Sequence, residues 1–287
     1  MKWKVSQISN RVHLLDIDLD RTSGSSHWIF ACADVHIDST LCQQNMLRRH
    51  LNLAVERNAP VIIVGDLFDS MSSANDKRQP RKIRPELDKA DYLDALVDYA
   101  VEFFEPYKDN IALVTAGNHE TAMIKHHNTN LTSRFASRIG CEHGGYRGWL
   151  RVRFRDNRNS DRRRAYTIEK RIHYDHGSMG GAVTKGVIGT QRRAVYLPDA
   201  DVVLTGHIHE SWQMEVRRER LGRAGAVYFD TQHHIQLPTY KEEGLDMYGW
   251  AQQKGMPPKP LGGCFLNFKF GRDHTRDTLD LVTERAT

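Results

Sequence analysis

Short apolar runs alternate with segments of helical periodicity over the first half of the chain. The run HWIFACA (27–33) is followed by a segment around 47–55 whose apolar residues recur at helical spacing. Two further apolar runs, APVIIV (59–64) and IALVT (111–115), are short enough to be buried strands. This alternation of strands and helices is typical of an α/β protein.

A second helix is predicted from about Glu86 to Glu105, because Pro85 is placed to start it and Pro106 to stop it. The later chain is richer in strand-like runs, several of which alternate apolar and polar residues. These runs are WLRVRF, AYTIEKRIHYD, DVVLT, WQMEVRRERL, AVYFD and CFLNFKF. The pattern predicts two mixed sheets in one domain spanning 1–287, because no linker divides it.

Composition narrows the class of protein. A hydrophobic content of 39% and a charged content of 27% fit a soluble globular chain. No apolar run approaches the roughly 20 residues that cross a bilayer, and the first ten residues lack the apolar stretch of a signal peptide. The four cysteines are scattered without a CxxC pair, which argues against a disulfide framework. We therefore expect a cytoplasmic protein that does not associate with membranes.

Five buried runs end in a cluster of polar residues. Ligands in α/β sheets bind at the carboxyl ends of strands, so these ends would converge if the strands lie side by side. The clusters are Asp34-Val35-His36 after FACA, Gly65-Asp66-Leu67-Phe68-Asp69 after VIIV, Gly117-Asn118-His119-Glu120 after ALVTA, His176-Gly177 after RIHYD, and Gly206-His207-Ile208-His209 after VVLT.

The clusters together offer carboxylates, imidazoles and one carboxamide. Divalent Mn, Fe, Zn, Co and Ni accept this mixture of nitrogen and oxygen ligands. No cysteine takes part, which disfavours a structural zinc site. The groups are too many for one tetrahedral ion, whereas two ions that share a carboxylate would use them all. Asp34 and His36 stand two residues apart, so an extended strand would direct both side chains the same way.

The ordered set D-x-H, G-D-x-x-D, G-N-H-E, H-G and G-H-x-H resembles the calcineurin-like metallophosphoesterases. The motifs extend from residue 34 to residue 209, and all five are intact. The resemblance implies a four-layer αββα sandwich with a binuclear metal centre, Mn being the first expectation. It implies that one ion is held by Asp34, His36, Asp66 and His209, and the other by Asp66, Asn118, His176 and His207.

The resemblance also implies a mechanism in which a metal-bridging hydroxide hydrolyses a phosphate ester. His119 would then be a catalytic histidine that binds no metal and donates a proton or hydrogen bond. Asp69 is expected behind the ligands, where it would orient a ligand histidine. Capping of strand ends is the alternative interpretation for each of these residues taken alone.

Basic residues cluster in two places. Residues 147–171 carry ten basic and three acidic side chains, a net charge of +7 in a chain whose total is +5. Within a predicted β-hairpin there, Arg151, Arg153 and Arg155 line one strand face. A basic insert near 70–85 contains the second cluster, KRQPRKIR. Both clusters suggest a surface that binds the phosphate backbone of a nucleic-acid substrate. The alternative is a hairpin face that is only solvated.

We therefore expect a metal-dependent hydrolase of phosphate esters, and within that class a phosphodiesterase or nuclease. A phosphomonoesterase or small-nucleotide phosphatase is the alternative. A third interpretation is a non-catalytic protein that binds nucleic acid. The expected partners are two divalent transition-metal ions and a phosphate-ester substrate, either a nucleic acid or a nucleotide.

Overall fold

The computed structural model describes residues 3–70, 83–156, 166–177, 187–246, 249–273 and 276–287. Most of the basic insert and the turn of the basic hairpin lie outside these residues. The strands are β1 (Trp3–Ser9), β2 (Val12–Asp18), β3 (Ser26–Cys32), β4 (Val61–Val64), β5 (Ile111–Thr115), β6 (Glu142–Gly144), β7 (Arg147–Arg155), β8 (Thr167–Asp175), β9 (Val202–Thr205), β10 (Trp212–Leu221), β11 (Val227–Gln236), β12 (Gly263–Asp273) and β13 (Arg276–Ala286). The helices are α1 (Gln44–Glu56), α2 (Tyr92–Phe104), α3 (Asn118–His127), α4 (Leu131–Ile139), α5 (Val187–Tyr196) and α6 (Trp250–Gln253).

The strands form two mixed sheets, which confirms the predicted fold class. The seven-stranded sheet has the order β1-β2-β7-β8-β9-β11-β10, and the six-stranded sheet has the order β13-β12-β3-β4-β5-β6. Strands β3 to β6 run parallel to one another, as do β8, β9 and β11. Antiparallel hairpins β1–β2, β10–β11 and β12–β13 close three of the sheet edges.

Apolar side chains fill the space between the two sheets. Ile29 and Ile62 of the six-stranded sheet belong to the same buried cluster as Val152 and Phe154 of the seven-stranded sheet. Strands β4 and β9 read as continuous apolar runs because both of their faces are buried. Burial of this apolar surface provides the main driving force that holds one sheet against the other.

Helices cover the outer faces and complete the four layers. Leu47 and Leu51 of α1, Phe104 of α2 and Phe135 of α4 form one buried cluster with the outer side of the six-stranded sheet. On the seven-stranded sheet, α5 lies beside β10, and the segment after α5 packs on Val203 of β9. The predicted αββα arrangement is therefore confirmed.

The second predicted helix begins later than the sequence pattern indicated. Pro85 starts a single 3-10 turn that ends at Leu87, and α2 begins only at Tyr92. Asp88 to Asp91 provide no large apolar side chain to bury, so packing does not extend the helix through them. At the other end the chain continues as a 3-10 helix, Glu105–Asn110, in which Pro106 is tolerated at an early position.

Phe265 tests the packing of the six-stranded sheet against its helices. Its ring is fully buried, 4.6 Å from the Phe30 ring and 6.0 Å from the Trp28 ring between centroids. We expect Phe265→Ala to lower the free energy of unfolding by about 3–5 kcal/mol, because the lost contacts leave a cavity. The matched control is Phe229→Ala, whose ring is 55% exposed and which should change stability by about 0.5 kcal/mol or less. Equal losses in urea denaturation of the two variants would contradict this packing.

Candidate metal centre

The five polar clusters predicted from the sequence meet at one end of the sandwich. Three of them follow β3, β4 and β5 of the six-stranded sheet, and two follow β8 and β9 of the seven-stranded sheet. The sequence pattern suggested strands lying side by side, but the clusters are divided between two sheets. They converge because the two sheets stack face to face and these strand ends lie at the same end of the sandwich.

Asp34, His36 and His209 form a first cluster of side chains. Their potential ligand atoms all lie within 4.8 Å of one another. His209 Nε2 is 3.4 Å from both His36 Nε2 and Asp34 Oδ1. Asp34 and His36 are buried, and His209 is partly exposed, so solvent reaches this cluster from the His209 side.

Asp66, His176 and His207 form a second cluster, which Asn118 joins. His176 Nε2 lies 3.1 Å from both Asp66 Oδ2 and Asn118 Oδ1, and His207 Nδ1 lies 2.7 Å from the same Asn118 oxygen. The two clusters adjoin, because His176 Nε2 is 3.9 Å from Asp34 Oδ1. All seven predicted metal ligands are therefore brought together.

The donor set fits divalent cations. His176 Nδ1 lies 3.0 Å from the carbonyl oxygen of Val64, which can only accept, so the ring proton is on Nδ1. With Nδ1 protonated, a neutral ring would direct its Nε2 lone pair at the oxygens of Asp66 and Asn118, where a bound cation would take the place of a proton. Asp34 Oδ1 is buried without a hydrogen-bond partner among the described residues. Lone pairs that face one another in this way need a cation between them.

The backbone at the ligands is left-handed. Among the described residues, eight that are not glycine have a positive φ. Five of the eight are predicted ligands, with φ between 47° and 74°: Asp34, His36, Asp66, His207 and His209. Residues other than glycine adopt that conformation uncommonly, although Asp and His do so more often than most, and its concentration at one place is typical of a functional site. Asp34 and His36 therefore converge through tight turns, and the expected strand alternation does not explain their direction.

Glu120 holds two of the ligand-bearing loops together. Its buried carboxylate accepts hydrogen bonds from the backbone N–H groups of Asp66 (3.2 Å), Phe68 (2.9 Å) and Gly117 (2.8 Å). Burial, and then the neighbouring charge of Asp66, raise the pKa of Glu120 to about 7. The sequence motif indicates an acid in the first turn of α3 but does not reveal these cross-loop contacts.

Asp69 lies behind the first cluster. Its Oδ1 is 2.9 Å from His36 Nδ1, the pairing that orients metal-binding histidines in many proteins. The carbonyl oxygen of Asp69 lies 2.6 Å from His119 Nδ1. His119 Nε2 faces Asp66 Oδ2 at 3.8 Å. His119 therefore stands beside the clusters with Nδ1 committed to the backbone and Nε2 directed toward the site.

The charges of the clusters shift the protonation of their members. Burial disfavours the ionised Asp66, but His119 and His176 outweigh it and hold the pKa of Asp66 well below its usual range. Burial also opposes a charge on His176, yet Asp66 and Asp34 raise its pKa to about 10. For His119, burial is again outweighed by Asp66 and Asp69, and the pKa is raised.

The three predicted substrate-binding arginines lie along β7. Strand β7 pairs with β8 so that Arg151 stands opposite Arg171, five residues before His176, and Arg155 stands opposite Thr167. At about 3.3 Å per residue these positions are roughly 16 Å and 30 Å along the strand from His176. Arg151 pairs with the carboxylate of Glu169 and Arg153 with that of Asp16.

Lys241 was not singled out from the sequence. Its buried ammonium group lies 2.9 Å from Asp69 Oδ1, and it comes from a segment without any recognisable motif. Only the tertiary structure brings Lys241 to Asp69, so no local sequence pattern reveals this contact.

Residues 27–211 match the family described as calcineurin-like phosphoesterase, which is more than half of the chain. The chain belongs to this family. Metal-dependent hydrolysis of phosphate esters is the chemistry that the family assignment supports, and the two His/Asp clusters supply residues for it. No curated protein sequence matches this phosphoesterase.

Solved structures with a similar arrangement are distant from this phosphoesterase. Vacuolar protein sorting 29 from Cryptosporidium parvum is 11% identical, with 91% of this chain and 98% of that chain covered and a TM-score of 0.42. GAP50, the anchor in the inner membrane complex of Plasmodium, is 10% identical, with coverages of 91% and 84% and a TM-score of 0.44. A predicted phosphoesterase from Streptococcus pneumoniae is 12% identical, with both coverages at 90% and a TM-score of 0.32. The family assignment rests on the sequence match alone.

Gly65 tests the packing of the second cluster. Gly65 has a φ of 73°, and a Cβ at this position would overlap the imidazole of His176. We expect Gly65→Ala to displace His176 and to weaken the binding of divalent metal ions by about 10–100-fold, the effect typical of changes beside metal ligands. The control is Gly140→Ala, because Gly140 has a φ of 84° with open space around its Cβ position. That variant carries the backbone strain without the overlap, so metal loss in both would contradict this explanation.

Proposed function

We propose that this chain hydrolyses phosphate diesters at a centre for two divalent cations. The observation that supports the proposal is the adjacency of the two clusters. Each offers carboxylate and imidazole atoms within 4.8 Å of one another, and the two approach to 3.9 Å between Asp34 and His176. Divalent cations bound there would supply Lewis-acid chemistry, which neutralises phosphate oxygens and makes water nucleophilic near neutral pH.

Each ligand has a distinct task in this proposal. Asp34, His36 and His209 would hold one cation, with Asp66 as a fourth ligand. Asn118, His176 and His207 would hold the other, and Asp66 would be shared. Asn118 adds a neutral oxygen, so it contributes a ligand without the negative charge that would repel a phosphate. Mn²⁺ is the first expectation for the metal, with Fe, Zn, Co and Ni as alternatives that accept the same ligands.

His119 would assist departure of the leaving group. Its Nδ1 is held by the Asp69 carbonyl oxygen at 2.6 Å, which fixes the ring and directs Nε2 toward the clusters. Asp66 and Asp69 favour its protonated form despite burial, so its pKa is raised and a proton is available at Nε2. A group placed in this way can donate that proton to the leaving oxygen of the substrate.

The preference for a diester, and for nucleic acid among diesters, rests on the basic segments. Arg151 and Arg155 lie roughly 16 Å and 30 Å from His176 at about 3.3 Å per residue, so they cannot contact the reacting phosphate of a small substrate. If they bind substrate, that substrate is a polymer whose backbone extends along β7. Arg151 and Arg153 already have carboxylate partners, and those partners would compete with phosphate groups.

Two other functions remain as alternatives. A phosphomonoesterase or small-nucleotide phosphatase would use the same clusters, and its substrate would not contact the arginines of β7. A non-catalytic protein that binds nucleic acid would use the arginines and not turn over any ester.

Within the described residues no helix combines the length and apolar character needed to cross a bilayer. A cytoplasmic setting remains our expectation from the pattern of cysteines.

Asp66→Asn tests the proposed centre. The amide keeps the size of the side chain but removes the charge that both cations would share, so we expect it to abolish Mn²⁺-dependent hydrolysis of bis-nitrophenyl phosphate. Asp280→Asn, an exposed change on β13, should leave the rate unaltered. A panel of aryl monoester, aryl diester, single-stranded DNA, double-stranded DNA and RNA then assigns the substrate class from the relative kcat/KM values.

Each result of this panel decides between functions. Faster turnover of diesters and nucleic acids supports the proposal. Preference for the monoester supports the phosphatase alternative, and nucleic-acid binding without turnover by the wild type supports the non-catalytic one. Full activity in Asp66→Asn would rule out a shared carboxylate at this position.

His119→Ala separates acid catalysis from metal binding. We expect the variant to keep its metal content and to lose about 10²–10⁴-fold in kcat for an alkyl ester, because a positioned acid contributes that much. The loss should be smaller for a nitrophenyl ester, whose leaving group departs without a proton. His126→Ala is the control, since His126 is exposed on the same helix. An equal loss for both esters would indicate stabilisation of phosphate oxygens instead of proton donation.

A further inference from the structure

A short segment outside the part of the chain that matches the family contacts Asp34 and His209 of the first cluster directly and His36 through Asp69. This segment, Thr239–Glu243, lies between β11 and β12. The Thr239 hydroxyl (2.8 Å) and the Tyr240 N–H (3.0 Å) both donate to the carbonyl oxygen of Asp34. The Glu243 side chain approaches His209. The Lys241 side chain contacts Asp69, which in turn contacts His36.

Lys241 acts on His36 through Asp69. Its Nζ and His36 Nδ1 both lie 2.9 Å from the same oxygen, Asp69 Oδ1. Lys241 is 7% exposed and Asp69 is 3% exposed, so water contributes little to either charge. The position of this carboxylate is therefore fixed by one cation and one imidazole.

Glu243 approaches the other histidine of the cluster. Glu243 Oε2 is 3.9 Å from His209 Nδ1, and Glu243 Oε1 is 3.6 Å from Lys241 Nζ. The ammonium group of Lys241 thus stands between two carboxylates, each of which faces one ligand histidine. Its removal would leave Asp69 and Glu243 without a shared counter-charge.

The second cluster is supported differently. His176 Nδ1 is held by the Val64 carbonyl oxygen, and the loops bearing Asp66 and Asn118 are tied by Glu120. These supports lie within the residues that match the family. The described side-chain contacts of Lys241 are with Asp69 and Glu243, each of which faces a histidine of the first cluster.

We propose that Lys241 is a positioning residue that sets the cation affinity of the Asp34–His36–His209 cluster independently of the other cluster. This inference rests on the proposed two-cation function. Without Lys241, Asp69 would be a buried carboxylate beside Asp38, whose side chain accepts from the Asp69 N–H at 2.6 Å. Two unneutralised buried carboxylates are unfavourable together, so Asp69 would shift and release His36 from its orientation.

Lys241→Met tests this role, because methionine keeps an unbranched apolar stem without the charge. We expect two-step Mn²⁺ binding in equilibrium dialysis of the wild type. In Lys241→Met one step should weaken by about 10–100-fold, the effect typical of groups that orient metal ligands, while the other step stays unchanged. Lys241→Arg should recover most of the affinity. Lys254→Met, an exposed change in the same part of the chain, should bind as the wild type does.

The affected step is assigned in a His207→Ala background, which disables the second cluster. The remaining Mn²⁺ site should still respond to Lys241→Met. If Lys241→Met does not give a folded protein by circular dichroism, Lys241→Gln replaces it and carries the same expectation. Unchanged or tighter Mn²⁺ binding overturns the proposal, and so does equal weakening of both steps. A wild type that binds fewer than two ions overturns the proposed function as well, and the two failures are thereby distinguished.

Discussion

Buried carboxylates, a carboxamide and imidazoles from two sheets are directed at a common region. The cost of burying them together, which includes the repulsion between Asp34 and Asp66, is the constraint on which the surrounding structure depends. Asp34, Asp66 and Asn118 come from the six-stranded sheet, and three histidines come from the seven-stranded sheet. Such groups are costly to bury together unless a cation lies among them. The apolar core between the sheets holds the strand ends in place despite this repulsion.

Local backbone strain is a further consequence of bringing these groups together. Five ligands adopt a left-handed conformation that side chains seldom occupy, and each such residue costs on the order of 1–3 kcal/mol. Hydrogen bonds from the loops to Glu120 and from the Thr239–Glu243 segment to Asp34 stabilise these turns. The strain therefore persists because several separate parts of the chain determine the same loop positions.

The sequence predicted which residues gather at this site better than it predicted how they meet. Apolar runs that end in Asp34, Asp66 or Asn118 reveal both a strand and its polar end, since burial and metal chemistry each leave a local signature. The division of the strands between two sheets leaves no such signature, because pairing depends on residues far apart in the chain. The position of Lys241 leaves no signature for the same reason. The edge hairpin β1–β2 is a local pairing across Asn10 and Arg11, and its two strands are not among the strand-like runs that the sequence pattern indicated. The late start of α2 reflects packing of the residues after Leu87, which propensity alone does not report.

The origin of the ligands in two different sheets gives the proposed cations a mechanical role. Asp34 and His209 are far apart in the chain, so the first cluster cannot form until both sheets are assembled. Bound cations would then cross-link the sheets at one end of the sandwich, as a disulfide cross-links two strands. Because such ions bind the folded chain and not the unfolded one, their affinity adds to the free energy of unfolding. The fraction of chains with both cations bound and the free energy of unfolding would thus both increase with the concentration of metal ions.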